Sequence, residues 1–437
     1  MSQYFHSVTL DKERCKGCTN CIKRCPTEAI RVRNGKAKII KERCIDCGEC
    51  IRVCPYRAKK AITDPFETIF NYKYKVAIPA PSLYGQFKNV WDINVILTGL
   101  KRLGFDDVFE VAKAAEIVTL ATKHLIASEK IQKPVISSAC PAVVRLIRVK
   151  FPNLINNIVP VKSPMEVAAR ITKRAISKTM GLQHEEIGVF FITPCAAKVT
   201  SSKVPVGLDN SFVDGVISMK EVYLKLMPII NKIDNIETLS CAGINGICWA
   251  NSGGESVALG SEQTIAVDGI HNVIKVLEEL EDEKLTDIDF VELLACTGGC
   301  VGGPLTVENS FVAKNSVKKI AKLTTRHSLI SKFDDFSEID VSWTNPITYK
   351  PVMNLDSNMI EAMKKMETLE KIYHDLPGLD CGSCGAPSCR ALAEDIVRGF
   401  ANETDCIFKL REQVRMLARE MMELEGKMPP PFRKSEE

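Results

Sequence analysis

The chain has 437 residues, of which 45% are hydrophobic and 26% charged, a composition typical of a globular protein and not of a disordered chain or a fibre. At roughly 100–200 residues per domain, this length predicts two to four domains. A formal net charge of +4 argues against general nucleic-acid binding, which needs a concentrated basic face. No apolar run approaches the roughly 18 residues of a membrane span, and the N-terminus lacks the apolar core of a signal peptide. We therefore expect a cytoplasmic protein without a membrane span.

Eighteen cysteines are the most unusual feature of the composition. In a long chain without an export signal, such cysteines are more often metal ligands than disulfides. Eight of them form an internal repeat at an offset of 29 residues, and each half ends in a Cys-Pro pair. This spacing places three thiolates around one cubane, while the fourth binds the other cluster. The predicted sets are Cys15, Cys18, Cys21 and Cys54 for cluster one and Cys25, Cys44, Cys47 and Cys50 for cluster two.

This repeat resembles bacterial ferredoxins that carry two [4Fe-4S] clusters, which have an α+β fold. Structural zinc is the alternative, but zinc sites typically use two pairs of ligands and not two runs of four. Residues 1–60 carry 15 basic and 6 acidic side chains, a formal charge of +9. Such a module is expected to bind an acidic electron carrier such as ferredoxin, unless the lysines only form a solvated surface.

A second group of four cysteines lies near the C-terminus, at intervals of two, four and sixteen residues. Gly382 and Gly385 allow the backbone to bend around a metal, and a helical pattern over residues 390–400 returns the chain to the last cysteine. The spacing resembles the small [4Fe-4S] module of membrane electron-transport subunits and corrinoid iron-sulfur proteins, with zinc as the alternative. The predicted ligands are Cys381, Cys384, Cys389 and Cys406.

Between these groups, four apolar strand-like runs end in polar or glycine-rich segments, at residues 73–82, 134–141, 186–195 and 290–300. Helical patterns such as residues 271–283 separate them, so the segment is predicted to be α/β with buried strands. Ligands in such folds gather beyond the carboxyl ends of the strands. The cysteines at those ends are each small enough to be ordinary core residues. Together they predict one buried cluster site, formed by Cys140, Cys195, Cys296 and Cys300.

Residues 1–330 resemble [FeFe]-hydrogenases, through segments 137–141, 193–198 and 294–303, which match the three signatures of that family. The resemblance implies a two-lobed α/β catalytic domain and a [4Fe-4S] cluster joined through Cys300 to a diiron unit with CO, CN and a dithiolate bridge. It also implies that Lys198 hydrogen-bonds an iron-bound cyanide and that Pro81 and Ser82 line the diiron pocket. A buried ammonium needs such an anionic partner, whereas a surface lysine would not.

The departures from the family pattern concern proton transfer. The resemblance implies a proton-relay cysteine where this chain has Ala139, and a methyl group cannot carry a proton. Ser163 matches a relay serine, but the helix predicted at 111–125, where its glutamate partners are expected, has no carboxylate between Glu116 and Glu129. Since positioned acid–base groups contribute on the order of 10²–10⁴ in rate, we expect slow turnover. Family residues around the diiron unit are also changed, at Thr193, Ser201 and Leu294.

This pattern resembles the sensory [FeFe]-hydrogenases. Three functions remain open: a slow H2 sensor, an ordinary turnover hydrogenase coupled to ferredoxin, and a hydrogenase-like assembly scaffold without the diiron unit. The expected ligands are H2 and protons, with an unknown downstream signalling protein as partner. An apolar heptad seam from Ile407 to Leu424, roughly 27 Å of helix, either mediates a homodimer or packs on its own domain.

The predicted domains follow from these assignments and from the proline-containing segments near residues 65 and 346–351. The predicted cofactors are four [4Fe-4S] clusters and one diiron unit. Cys241 and Cys248 have no assigned role. The domains are a ferredoxin-like domain at 1–65, the catalytic domain at 66–345, a mostly helical cluster module at 355–406, a heptad helix at 407–425 and a disordered tail at 426–437.

Overall fold

The structure, a computed structural model, describes residues 5–324, 340–352 and 354–427. It divides into two compact units. Unit 1 consists of Met1–Thr9, Cys44–Arg52 and Lys59–Lys350, and unit 2 of Leu10–Arg43, Val53–Ala58 and Pro351–Glu437. This division differs from the domains predicted above, because the ferredoxin-like segment contributes to both units and the C-terminal segment belongs to unit 2 with Leu10–Arg43.

Eleven strands are assigned in the part of the chain that the structure describes. They are β1 (Val8–Leu10), β2 (Ile30–Arg33), β3 (Lys36–Ile39), β4 (Lys59–Ala61), β5 (Tyr74–Pro79), β6 (Asp107–Val108), β7 (Val135–Ile136), β8 (Ile187–Thr193), β9 (Gly215–Ser218), β10 (Thr264–Asp268) and β11 (Phe290–Leu294).

Fifteen α-helices are assigned over the same described ranges. They are α1 (Asn20–Lys23), α2 (Glu49–Arg52), α3 (Ile93–Arg102), α4 (Val111–Ala127), α5 (Pro141–Lys150), α6 (Pro164–Met180), α7 (Ala196–Lys203), α8 (Met219–Ile230), α9 (Ile244–Cys248), α10 (Gly254–Leu259), α11 (Ile270–Glu281), α12 (Ser310–Leu323), α13 (Met359–Asp375), α14 (Cys389–Val397) and α15 (Ile407–Gly426). None of them is long and apolar enough to cross a membrane.

Unit 1 contains two parallel sheets. The first has the strand order β6-β5-β8-β9 and the second β10-β11-β7. All seven residues of β8 and all five of β11 are buried, which explains their nearly continuous apolar sequence. One hydrophobic core surrounds each sheet. The four strands predicted from sequence are confirmed as β5, β7, β8 and β11.

Local sequence signals set the bounds of several helices. Pro141 and Pro164 stand at the first positions of α5 and α6, where a missing backbone N–H costs nothing. α6 ends at Gly181, which has φ of 67°. The side chain of Asp92 caps α3 by accepting a hydrogen bond from the backbone N–H of Asn94. The helices predicted at 111–125 and 271–283 are confirmed as α4 and α11.

Unit 2 contains the antiparallel β2–β3 hairpin and the helices α13, α14 and α15, with a small core centred on Leu369, Leu376 and Leu392. The helix predicted at 390–400 corresponds to α14, and the heptad helix to α15. The six seam residues of α15 are 46–65% exposed, so packing of this seam on its own domain is not observed. The tail predicted to be disordered lies outside the described residues beyond Lys427.

Candidate active site

The carboxyl ends of strands from both parallel sheets carry the predicted cluster cysteines of unit 1. Cys140 follows β7 and directly precedes α5, while Cys195 follows β8 and directly precedes α7. Cys296 and Cys300 follow β11. Buried strands that feed directly into helices therefore present these four thiols from defined backbone positions.

The four thiols act on one another electrostatically, which shows that they converge. Burial, together with the charges of the neighbouring Cys195, Cys140 and Cys300, raises the pKa of Cys296 to about 12 against the opposing charge of Arg52. Burial also raises the pKa of Cys195 and Cys300 above the usual range. A buried set of thiols with raised pKa values binds protons tightly, so a cation must replace those protons for the thiolates to form.

The glycine-rich third signature allows the backbone to pass unusually close to its neighbours. A Cβ atom on Gly302 would lie 2.1 Å from the carbonyl oxygen of Thr297, and one on Gly303 would lie 2.2 Å from that of Pro194. Neither position can carry a larger side chain without moving the backbone. These glycines keep the loop of Cys300 against the loop that precedes Cys195.

Lys198 points its ammonium group toward the cysteines. Its Nζ lies 3.8 Å from Cys300 Sγ. Burial alone would lower the pKa of Lys198, but the charges of the four cysteines, Cys300 first, outweigh burial and raise it above the usual range. Among the described residues no carboxylate forms an ion pair with this ammonium, which therefore has capacity for an anionic ligand.

A mostly apolar cavity opens beside Lys198 and Cys300, and Pro81 and Ala139 line it. Ser82, the neighbour of Pro81, is fully buried, and within the described chain its hydroxyl has no hydrogen-bond partner. An unsatisfied buried hydroxyl is costly unless a further group binds there. Four soft thiol donors and an ammonium without a carboxylate partner fit a cubane joined to a diiron unit with anionic ligands, whereas Ser82 is not among the residues that line this cavity.

Two buried carboxyl groups of the same cavity escaped the sequence analysis. Glu255 of α10 and Glu292 of β11 both line it. Burial, and then the charge of Glu292, raise the pKa of Glu255 to about 8. The Ser137 hydroxyl donates to Glu255 Oε2 at 2.6 Å. The sequence feature that could have pointed to this pair is Glu292, a charged residue inside the apolar run of residues 290–294.

Glu292 is held more firmly than Glu255. Its carboxylate accepts hydrogen bonds from the backbone N–H of Gly253 at 3.0 Å and from both the N–H and the hydroxyl of Ser256. Burial raises its pKa, while these donors oppose the shift. Because these hydrogen bonds stabilise a carboxylate, the negative charge of the pair lies on Glu292. Glu255 is the member of the pair that more readily carries a proton.

The remaining predicted residues are placed as follows. Leu294 lines the cavity, whereas Ser163 and Ser201 line a separate cavity with Glu166. The Thr193 hydroxyl accepts a hydrogen bond from the backbone N–H of Cys195 at 3.2 Å. Ser163 is therefore not among the residues around Lys198, and Thr193 shapes the turn of the second signature.

A buried polar cluster connects the segment of Cys44 and Cys47 to the helix of Lys198. Asp46 accepts hydrogen bonds from the hydroxyl of Thr200 at 2.9 Å and from the backbone N–H of Val8 at 3.0 Å. His6 Nδ1 lies 2.8 Å from the same carboxylate. These bonds fix α7 relative to a cysteine loop of the ferredoxin-like segment within unit 1.

Arg52, at the end of α2, is a second residue that the sequence analysis missed. Burial lowers the pKa of its guanidinium, but the charges of Cys296, Glu49 and Cys47 outweigh burial and raise it. A permanent positive charge beside Cys296 favours the anionic form of that ligand.

The other ferredoxin-like cysteines receive backbone hydrogen bonds in unit 2. The sulfurs of Cys15, Cys25 and Cys54 accept N–H groups from Ala37, Ala29 and Ala58 at 3.4, 3.2 and 3.2 Å. Such donors stabilise a thiolate and suit a cluster ligand. Of the remaining predicted ligands, Cys18 and Cys21 lie in unit 2, and Cys44, Cys47 and Cys50 lie in unit 1.

The C-terminal cysteines lie together in unit 2. Burial raises the pKa of Cys384, and the charges of Cys381 and Cys406 contribute in the same direction. Gly382 and Gly385 adopt φ of 76° and 79°, the left-handed conformation that the tight loop requires. Cys389 begins α14, and Cys406 immediately precedes α15.

Comparison with protein families agrees with this division of cysteines. The model described as "Iron only hydrogenase large subunit, C-terminal domain" matches residues 73–228 and 229–304, more than half of the chain. The chain belongs to the iron-only hydrogenase large-subunit family. A 4Fe-4S dicluster model matches residues 7–55, and an Fe-S cluster model matches residues 376–408. This hydrogenase-family chain thus has a ferredoxin-like region before its α/β domain and an Fe-S region after it.

Individual relatives differ in their named functions. Iron hydrogenase 1 of Clostridium pasteurianum is 24% identical over 397 residues, covering 72% of this chain and 67% of that protein. The cytosolic Fe-S cluster assembly factor NAR1 homolog of Schizosaccharomyces japonicus is 29% identical over 136 residues, covering 29% of this chain and 26% of that protein. Apo [FeFe]-hydrogenase HydA1 from Chlamydomonas reinhardtii has a TM-score of 0.48 and 16% identity, covering 66% of this chain and 97% of that structure.

Proposed function

We propose that this chain binds H2 and oxidises it slowly and reversibly to two protons and two electrons, and that the redox state of its clusters is its output. Family membership supports hydrogen chemistry. The observation that carries the proposal is Lys198, an ammonium beside Cys300 that forms no ion pair with a carboxylate of the described residues. An anionic diiron unit would give this ammonium a hydrogen-bond acceptor inside the cavity, in addition to the cysteine sulfurs of the cubane.

When bound, the diiron unit supplies the metal chemistry that polarises and splits H2. Cys300 would join it to the cubane, and Lys198 would donate a hydrogen bond to an anionic ligand. Pro81 and Leu294 exclude water from the cavity, which strengthens each electrostatic interaction inside it. The same exclusion of water means that a released proton needs a protein group to accept it.

Glu255 is the group best suited to accept that proton. Ala139 lines the cavity but offers no titratable atom. Glu255 lines it too, and its pKa of about 8 is close enough to neutral pH for the carboxyl group both to release and to take up a proton. The neighbouring Glu292 keeps a negative charge close by, which stabilises the protonated Glu255.

Two alternatives make different predictions. An ordinary turnover hydrogenase coupled to ferredoxin would sustain rapid H2 production with a reduced acidic carrier. A scaffold without the diiron unit is favoured by the relative named as an Fe-S cluster assembly factor. Such a scaffold requires the cluster cysteines but has no use for Lys198, Ser82 or the two glutamates of the cavity.

Infrared spectroscopy tests the proposal directly. Anaerobically purified protein supplied with the diiron cofactor should show CO and CN stretching bands that shift under H2. Lys198→Met should shift the CN bands most, while the control Lys203→Met, at the other end of α7, should leave them unchanged. Absence of such bands in protein with 16 irons, in place of the 18 expected with diiron, would establish the scaffold. Rapid steady turnover would establish the ordinary hydrogenase.

A further inference from the structure

The C-terminal cysteine loop of unit 2 packs backbone to backbone on strand β2 of the ferredoxin-like segment. The N–H of Val32 donates to the carbonyl oxygen of Gly385 at 2.8 Å. A Cβ atom on Gly385 would lie 2.0 Å from the carbonyl oxygen of Val32, so only glycine permits this approach. The loop therefore extends the edge of the β2–β3 hairpin.

Buried ion pairs hold the helix that follows this loop. Arg31 Nε and Arg33 Nη2 donate to the same carboxylate oxygen of Asp395, at 2.7 and 2.8 Å. Arg31 and Asp395 each expose only 6% of their side chains. Arg43 binds the carboxylate of Glu394 through both terminal nitrogens. Removing one partner of these pairs would leave an unpaired buried charge, so the ion pairs hold α14 in place.

One of these arginines, Arg33, also reaches the cysteine loop itself. Arg33 Nη1 donates to the carbonyl oxygen of Cys384 at 2.6 Å. The Ser388 hydroxyl donates to Glu28 Oε1 at 2.9 Å and also caps α14 by accepting the N–H of Ala391. The Arg33 bond reaches the predicted ligand Cys384 itself, and the Ser388 bond joins the residue before Cys389 to Glu28, whose backbone N–H donates to the carbonyl oxygen of Cys25.

Residues beside the two cysteine groups also lie close together at Gly382. A Cβ atom on Gly382 would lie 3.2 Å from Lys23 Cε and 3.5 Å from Ile22 Cδ1. Ile22 and Lys23 directly follow Cys21, and Gly382 directly follows Cys381. The charge of Lys23 also contributes to a lowered pKa of Cys381, after the larger effect of hydrogen bonds from Ser383.

We propose that the C-terminal cluster is a fixed neighbour of cluster one and forms the far end of the electron-transfer chain, held there by Arg31, Arg33 and Arg43. This inference rests on the cluster binding assumed in the proposed function, but not on the diiron unit. Electrons from the ferredoxin-like clusters pass to the C-terminal cluster by outer-sphere transfer, with no bond made or broken. Its ligand Cys381 is exposed, so a redox partner can approach this end of the chain.

Low-temperature electron paramagnetic resonance of the reduced full-length protein tests this arrangement, in preparations without the diiron unit. Two reduced cubanes close together broaden each other's signals and relax each other rapidly. The comparison is between the wild type and Cys384→Ser, which lacks a ligand of the C-terminal cluster. We expect the remaining signals to narrow and to saturate at lower microwave power in Cys384→Ser. Identical relaxation in both proteins would overturn the proposal.

A second pair of variants tests the role of the ion pairs. Asp395→Asn removes the negative charge shared by Arg31 and Arg33 but keeps a carbonyl oxygen acceptor, and it should reduce the magnetic coupling between the clusters at unchanged iron content. If that variant loses iron, Arg33→Lys decides the outcome, since lysine keeps the charge but cannot donate to both Cys384 and Asp395. The control is Glu367→Gln, which breaks an exposed ion pair with Lys371 in the same unit. If the magnetic coupling between the two clusters is unchanged in Arg33→Lys, Arg33 does not hold the C-terminal cluster beside cluster one.

Discussion

The hydroxyl of Ser137 donates a 2.6 Å hydrogen bond to Glu255, and Ser137 stands two residues before Ala139. The backbone N–H of Ala139 in turn donates to the Ser137 hydroxyl at 3.2 Å. The first signature is therefore connected to a carboxyl group although it lacks the relay cysteine of the family pattern.

The first prediction concerns catalysis. Glu255→Gln keeps the shape of the side chain and its bond to Ser137 but cannot accept a proton. The rate of H2 production should fall by about 10²-fold, within the range that a positioned acid–base group contributes. The measurement is H2 production with a reduced electron donor, together with infrared spectra that show the diiron unit still bound. An unchanged rate would exclude Glu255 as the proton acceptor, and exposed Glu185→Gln serves as the control.

The second prediction concerns stability against pH. Burial, and then the charge of Glu292, raise the pKa of Glu255 to about 8 from an ordinary value of 4.5. The folded protein thus binds more protons than the unfolded chain, and the stability present at low pH is lost as pH rises through about 8. The thermal midpoint of the wild type should fall between about pH 5 and about pH 9 more steeply than that of Glu255→Gln. If scanning calorimetry shows the same pH dependence of the thermal midpoint for the wild type and for Glu255→Gln, this prediction is wrong.

Much of the site could be predicted because its chemistry is local in sequence. Cys140, Cys195 and Cys296 each follow a run of apolar residues, and parallel strands bring their carboxyl ends to one side of a sheet. Positive φ at Gly382 and Gly385 was predictable for the same reason, since a tight loop between ligands needs glycine. The family signatures then identified Lys198 and Pro81 without any structure.

The remaining features depend on contacts between distant segments. Glu255 shows its role only beside Ser137, 118 positions earlier in the chain. Arg31 and Asp395 are separated by 364 positions, and neither stands out among 58 basic and 54 acidic residues. Charge counts predicted a basic ferredoxin-like surface, but the structure shows that three of those arginines are used internally in unit 2. The formal charge of +9 for residues 1–60 therefore overstates the positive charge that this segment offers to an acidic electron carrier.

The third prediction concerns a thiol introduced at position 139, where the family pattern has its proton-relay cysteine. Ala139 is 9% exposed and lines the cavity, so a sulfur atom there would face the open space. If proton transfer limits the rate, Ala139→Cys should raise H2 production by about tenfold or more. The control Ala142→Cys, in the first turn of α5, adds a thiol outside the residues that line the cavity. Equal rates for the wild type and both variants would place the slow step elsewhere, in electron transfer or product release.

The fourth prediction concerns the exposed seam of α15. Ile407, Val414 and Met421 occupy a positions, and Leu410, Leu417 and Leu424 occupy d positions, in three heptads. β-branched residues at a with leucine at d favour a parallel pair of helices, so we propose a second copy of this chain as the partner. A seam this short is marginal alone, and the dimer should therefore depend on protein concentration.

Analytical ultracentrifugation over a concentration series checks this dimer. Replacing Leu410 and Leu417 together by aspartate puts like charges directly against each other in the pair, so the double variant should remain monomeric. Arg419→Ala changes the opposite face of α15 and should dimerise like the wild type. Because α15 begins directly after the cluster ligand Cys406, pairing should also be compared between oxidised and reduced protein. A wild-type protein that stays monomeric at all concentrations and in both redox states would leave a different protein as the partner of the seam.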